Sequence, residues 1–132
     1  MGMKLLVSDL DTAMGHYTDD LAKRRGETVR QNMIKMLTSG PIVAIVLEGI
    51  EIVEVVRKMV GATEPKAALP GTIRGDYSHV SYKHADEKQI GIFNLIHASG
   101  SSEEAVTEIV VWFKPEELVN YGSSFTKYTI AR

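Results

Sequence analysis

The 132-residue sequence contains no cysteine, which excludes disulfides and thiolate metal sites and suits a reducing compartment. It has no surplus of positive charge: 15 Lys and Arg against 17 Asp and Glu leave a formal net charge of −2. That argues against a nucleic-acid binder working through a basic field. A polyphosphate ligand needs only a few local cations and stays allowed. No stretch reaches the roughly 18 apolar residues of a membrane span. Met1 to Asp9 lacks the basic start and long apolar stretch of a signal peptide. A cytoplasmic protein without membrane contact is expected. There is no Gly-x-x-x-x-Gly-Lys-Ser/Thr phosphate loop and no Gly-x-Gly-x-x-Gly after a strand. The histidine spacings match no zinc site.

What is present is an ordinary globular composition, 44% apolar and 24% charged, enough for a core without staples. The length suits a single domain over residues 1–132. Lys4 to Asp9 reads as a short strand, and Asp9 to Asp20 as a polar loop with a helical turn. Arg24 to Thr38 has helical spacing, with Val29, Met33, Ile34 and Leu37 on one face, stopped by Ser39-Gly40-Pro41. Ile42 to Leu47 is a continuous apolar run, expected to be a buried strand. Ile50 to Val60 predicts a second helix with Ile52, Val56 and Met59 inward and Gly61 as C-cap.

A small-residue loop, Ala62 to Gly75, follows, then a polar stretch from Tyr77 to Gly91 without a clear period. Ile92 to His97 reads as a third strand. Ser101-x-x-Glu104 is a capping-box signature for a helix reaching about Phe113, with a short turn at Lys114 to Leu118. The tail from Tyr121 to Arg132 has no decisive pattern. Strands alternating with helices point to a small sheet covered by helices, an α+β sandwich.

His97 ends an apolar stretch just before small residues and a helix N-terminus. A neutral imidazole there is a good nucleophile near pH 7, and the helix start favours phosphate oxygens. The alternative is a structural histidine at a strand end. On the next helix Ala105, Ile109 and Trp112 form a stripe, and Glu108 falls on it. A carboxylate turned inward needs a partner, and an imidazole N–H would serve. The alternative is a glutamate that reaches outward at the edge of the stripe. Arg57 and Arg74 could hold phosphate through bidentate contacts, with Thr63 adding a hydroxyl. Equally, Arg57 could be a surface helix charge and Arg74 a turn cap. Tyr17 offers a hydroxyl or a packing ring. His79 and His84 lie in the polar loop and are expected to be solvated.

Three blocks, in order, resemble the nucleoside diphosphate kinase family. The first is Thr38-Ser39-Gly40-Pro41-Ile42-Val43-Ala44-Ile45-Val46-Leu47-Glu48-Gly49. The second runs from Val55-Val56-Arg57-Lys58-Met59-Val60-Gly61-Ala62-Thr63-Glu64-Pro65 to Pro70-Gly71-Thr72-Ile73-Arg74-Gly75-Asp76. The third is Asn94-Leu95-Ile96-His97-Ala98-Ser99, continuing to Glu108-Ile109 and Trp112-Phe113. The resemblance covers about Gly2 to Tyr121.

It implies a ferredoxin-like antiparallel sheet covered by helices, and transfer of the γ-phosphate of a nucleoside triphosphate to a nucleoside diphosphate by a ping-pong mechanism. It further implies His97 as the phosphorylated nucleophile, Glu108 orienting its ring, Ser99 bonding that carboxylate, and Tyr17 beside the histidine. Arg57, Thr63 and Arg74 would bind nucleotide phosphates and Asn94 the ribose. Mg²⁺ would be held mainly by the nucleotide phosphates, with no protein metal site, and the assembly would be a homo-oligomer, a hexamer or tetramer.

The sequence departs from the family pattern in three places. The family's first strand, ending in Lys-Pro-Asp, and its first helix are not found ahead of Gly2. The expectation is therefore of part of a longer chain, the alternative being a catalytically impaired nucleotide-binding or scaffold relative. Val29 falls where the family places a base-stacking aromatic. Tyr77 to Phe93 is longer than the common pattern and is expected to be an inserted surface loop.

Overall fold

The computed structural model describes residues 1–88, 90–122, 125 and 128. Most of the tail that sequence left without a pattern lies outside the described residues. Two strands, β1 (Gly2–Val7) and β2 (Pro41–Val46), pair antiparallel, with Met3 opposite Ile45 and Leu5 opposite Val43. The apolar run in β2 is not buried on both faces as expected. Burial alternates along both strands, because successive side chains point to opposite sides of the sheet. Met3, Leu5, Val7, Val43 and Ile45 form an exposed apolar outer face. The inner face meets Phe113, which is buried. A Cβ on Gly2 would come within 3.0 Å of that ring, and the Lys4 ammonium lies 4.9 Å from the ring centroid. Lys4 also pairs with Glu117 at 2.8 Å, tying β1 to the turn Pro115–Glu117.

Between the strands lie α1 (Leu10–His16), α2 (Asp19–Arg25) and α3 (Glu27–Leu37). The polar segment after β1 is thus helical rather than a loop. The Asp9 side chain starts α1 by accepting the Thr12 N–H at 2.7 Å. The helix expected from Arg24 is broken at Gly26, whose φ of 93° is open to glycine and costly for other residues. The inward face of α3 also differs from the expected stripe. Val29 is 41% exposed, while Arg30 is buried beside Ile34. The charge is tolerated because Arg30 donates to the Tyr17 carbonyl at 2.7 Å and pairs with Asp19 and Glu27.

Helix α4 (Ile52–Val60) follows β2 and is capped by Gly61 at φ 87°, as the sequence suggests. Its buried end is Val60 rather than Met59, which is 59% exposed. The small-residue loop contains a 3-10 turn (Pro65–Ala67) and α5 (Ile73–Tyr77). The polar stretch after it forms α6 (Tyr82–Lys88), with Ala85 buried and His79 and His84 exposed. Helix α7 (Ser102–Trp112) has Ser101 as N-cap, and α1 packs against it.

The third strand expected over Ile92 to His97 does not form. Ile96 N–H bonds back to the Asn94 carbonyl at 2.8 Å around Leu95, which stands at φ 69°. That three-residue turn is a γ-turn in its strained hand, and it breaks the extended run. The segment's carbonyls bond a side chain, Arg74, instead of a neighbouring strand.

Candidate active site

The γ-turn at Leu95 delivers His97 to the surface, where its side chain is 45% exposed. Helix α7 presents Glu108 to it. His97 Nε2 and Glu108 Oε1 are 2.7 Å apart. A carboxylate only accepts, so Nε2–H is the donor and Nδ1 keeps a free lone pair. Ser99 Oγ donates to the other carboxylate oxygen, Oε2. Burial works to raise the Glu108 carboxyl, but hydrogen bonds from His97 and Ser99, and the attraction of the His97 and His16 rings when they carry a proton in acid, outweigh it. The group is held below the usual carboxylate value and stays ionised.

Two residues that sequence reading did not place at the site complete this cluster. His16, at the end of α1, meets His97 edge to face with ring centroids 4.6 Å apart. Its Nδ1 accepts the Trp112 indole N–H at 3.2 Å and lies 3.7 Å from Glu108 Oε1. Burial, with His97 adding, pushes His16 down to about 4 against the opposing pull of Glu108 and Glu104. It is therefore neutral near pH 7. Trp112 follows Glu108 by one helical turn, so its place on the same stripe was a usable signal. His16 carried none beyond adjacency to Tyr17. The Tyr17 ring packs on His16 at 4.7 Å, and burial with the nearby Glu108 charge pushes its hydroxyl up to about 12. It stays protonated and neutral.

The two arginines occupy different settings. Arg57, on α4, is exposed and reaches the histidine loop, donating from Nη1 to the carbonyls of Ala98 at 3.3 Å and Ser99 at 3.5 Å. It also lines an open cleft of about 470 Å³ with Lys58, Gly61, Ala67, Leu69 and Thr72. Arg74 is buried, and its guanidinium bonds the carbonyls of Gly61, Asn94 and Ile96. Burial, then the neighbouring Arg57 charge, lowers its pKa. Asn94 is buried and its amide donates to the Thr63 carbonyl at 3.3 Å, while Thr63 itself is exposed. Arg74 and Asn94 thus brace the loop that carries His97. At the N-terminus of α7, the Glu104 carboxylate accepts the Gly100 N–H, and Ser101 Oγ accepts the Glu104 N–H at 3.2 Å. The expected cap is there, displaced by one residue on the carboxylate side.

Residues 1–118 match the family model described as nucleoside diphosphate kinase. A nucleoside diphosphate kinase of Borreliella burgdorferi is 48% identical over 119 residues, covering 89% of this chain and 71% of that protein. One from Pyrococcus furiosus is 45% identical over 123 residues, covering 92% of this chain and 68% of that protein. Among solved structures, a transition-state mimic of the Borrelia burgdorferi enzyme with bound vanadate and ADP superposes with a TM-score of 0.91 at 44% identity. It covers 97% of this chain and 77% of that one. A Pyrobaculum aerophilum enzyme gives a TM-score of 0.82 at 35% identity, covering 90% and 81%. The α+β fold is the one those structures share, and the chain belongs to the nucleoside diphosphate kinase family.

Proposed function

We propose that this nucleoside diphosphate kinase works through His97, in two half-reactions. His97 Nδ1 attacks the γ-phosphorus of a nucleoside triphosphate as the bond from that phosphorus to the β,γ-bridging oxygen breaks. The diphosphate leaves, and the phosphoryl group rests on Nδ1. A terminal phosphate oxygen of a second nucleoside diphosphate then attacks the phosphorus, and the P–N bond breaks. The proton on Nε2 stays between ring and carboxylate throughout. Glu108 supports the positive charge that the ring gains on phosphorylation, and Ser99 fixes Glu108.

The observation that carries this reading is the Ser99–Glu108–His97 chain of hydrogen bonds, which leaves one imidazole nitrogen free and exposed. Phosphoryl transfer asks the protein mainly for positioning and charge stabilisation. Arg57, shared by the open cleft and the histidine loop, is the group we assign to the phosphates. Thr63, exposed just after α4, is assigned a hydroxyl contact to the phosphates. Asn94 and Arg74 hold the loop and border the ribose and phosphates, and Tyr17, protonated and packed on His16, lies within the field of Glu108. The vanadate and ADP bound by the Borrelia relative support an ADP-plus-phosphoryl geometry on the same fold. Mg²⁺ belongs with the nucleotide phosphates. It demands oxygen ligands, and a cluster of two imidazoles and one carboxylate does not suit it.

A homo-oligomer, tetramer or hexamer, and a cytoplasmic setting are part of the proposal. The uncovered apolar face of Met3, Leu5, Val43 and Ile45 supports association, and sedimentation tests it. No helix among the described residues is long and apolar enough to cross a membrane.

The deciding experiment incubates the protein with ATP labelled at the γ-phosphate. The expected product is an acid-labile, base-stable phosphoprotein that vanishes in His97→Ala and returns its label to a nucleoside diphosphate. Binding of ADP without uptake of label would show a nucleotide-binding relative that has lost its chemistry.

A further inference from the structure

His16, His97 and Glu108 bring one ligand atom each to within 4.8 Å of one another. The His16 Nδ1 to Glu108 Oε1 separation is 3.7 Å, and His97 Nε2 to the same oxygen is 2.7 Å. Zinc binds nitrogen and carboxylate oxygen at about 2.0–2.2 Å, which sets its tetrahedral ligands about 3.3 Å apart. Those two separations straddle that value, and the third, between the two imidazole nitrogens, lies within 4.8 Å and closes toward it as side chains rotate onto the ion. Two imidazoles and one carboxylate are the donor set of three-ligand zinc sites that keep a fourth position open. Here the fourth position faces solvent, because His97 is 45% exposed while His16 and Glu108 are 3% and 15% exposed.

We propose that His16, His97 and Glu108 form a site for a zinc-class divalent cation, and that occupancy silences the kinase. The silencing half rests on His97 acting through Nδ1. A cation on Nε2 takes the place of the proton that nitrogen carries against Glu108, and that proton moves to Nδ1. The lone pair that would attack phosphorus is then blocked, and the carboxylate that oriented the ring is a metal ligand instead. Mg²⁺ does not trigger this, since a hard ion prefers oxygen and keeps its water. On His16 the cation displaces the Trp112 indole N–H that Nδ1 now accepts. Trp112 is the single tryptophan of the sequence, so its fluorescence reports occupancy without any assay of activity.

The test titrates zinc into chelator-treated full chain and follows Trp112 emission, with cobalt(II) as a spectroscopic substitute. Saturation at one metal per chain, with the visible band of tetrahedral cobalt, is expected. In His16→Gln the affinity should fall at least about tenfold. A His79→Ala/His84→Ala double variant, altering only exposed histidines, should bind as wild type. Zinc should suppress label uptake from Mg-ATP, and chelation followed by fresh Mg²⁺ should restore it. An unchanged Trp112 signal with an octahedral cobalt spectrum in folded wild type would overturn the site, as would loss of the response in the double variant. Normal metal binding in a protein that takes no label when metal-free supports the site and removes His97 as nucleophile instead.

Discussion

Glu108 sets the state of the His97 ring from a single side chain. It is a half-buried carboxylate kept ionised by His97 and Ser99, and it determines which imidazole nitrogen is free. In Glu108→Ala the ring loses its orientation and its preference for a proton on Nε2. Phosphorylation of His97 should slow by about 10- to 100-fold, the usual cost of removing such a supporting partner. ADP affinity should hardly change, since Glu108 faces the ring rather than the open cleft. Rapid-quench measurement of label uptake, alongside calorimetry with ADP, separates the two. A large loss of affinity with normal chemistry would contradict the orienting role. The place of Glu108 on the Ala105–Ile109–Trp112 stripe was legible, and the sequence left open whether its carboxylate turned inward or reached out. That His16 closes the other side of the ring was not legible, because contact between α1 and α7 joins segments far apart in the chain.

At the scale of elements, Arg74 is the joint between α4, α5 and the loop of His97. From α5 it bonds the carbonyl of the α4 cap residue, Gly61, and the carbonyls of Asn94 and Ile96 on either side of the γ-turn. Hydrogen bonds from a charged donor are worth more than neutral ones, and three carbonyls, of Asn94 in the interior and of Gly61 and Ile96 part-buried, lose this donor together in Arg74→Ala. We expect a loss of about 3 kcal/mol or more in urea unfolding, with label uptake falling in the variant that remains folded. Arg74→Lys should recover only part, because a single ammonium cannot span three acceptors in a plane. A variant with unaltered stability and kinetics would remove Arg74 from this role. Sequence reading offered Arg74 as a phosphate contact or a turn cap and did not foresee this bracing role. Its bracing geometry is invisible until the third expected strand is seen to be a γ-turned segment whose carbonyls face α5.

For the whole molecule, the neutral buried His16 links stability to pH. Its folded value is about 4 against 6.5 for the free side chain, so the unfolded chain binds the proton more tightly. The contribution is complete above about pH 6.5, declines as pH falls toward 4, and is constant below that. The 2.5-unit difference sets a ceiling of about 3 kcal/mol. Glu108, held below its ordinary value, adds a further loss as pH falls through its own folded value. Urea midpoints should therefore drop steeply between pH 6.5 and 4.5, and His16→Gln should flatten that slope. Equal slopes in both proteins would mean that another group carries the acid sensitivity.

The punctuation and the chemistry are written in the chain itself: where α4 ends at Gly61, where Ser101 caps α7, which stripe of α7 holds Glu108, and that His97 precedes it just before small residues, though in a turned loop rather than at the end of the expected strand. Those follow from local backbone preference and helical period, which a single segment carries alone. The sequence did not determine which faces are covered. The apolar run in β2 reads as doubly buried, yet one side is exposed, because cover depends on what packs there. Nor did it show Gly26 breaking a helix, or Arg30 buried in place of Val29. That His16, His97 and Glu108 meet follows from how α1 docks against α7, a contact between distant segments that no local pattern encodes.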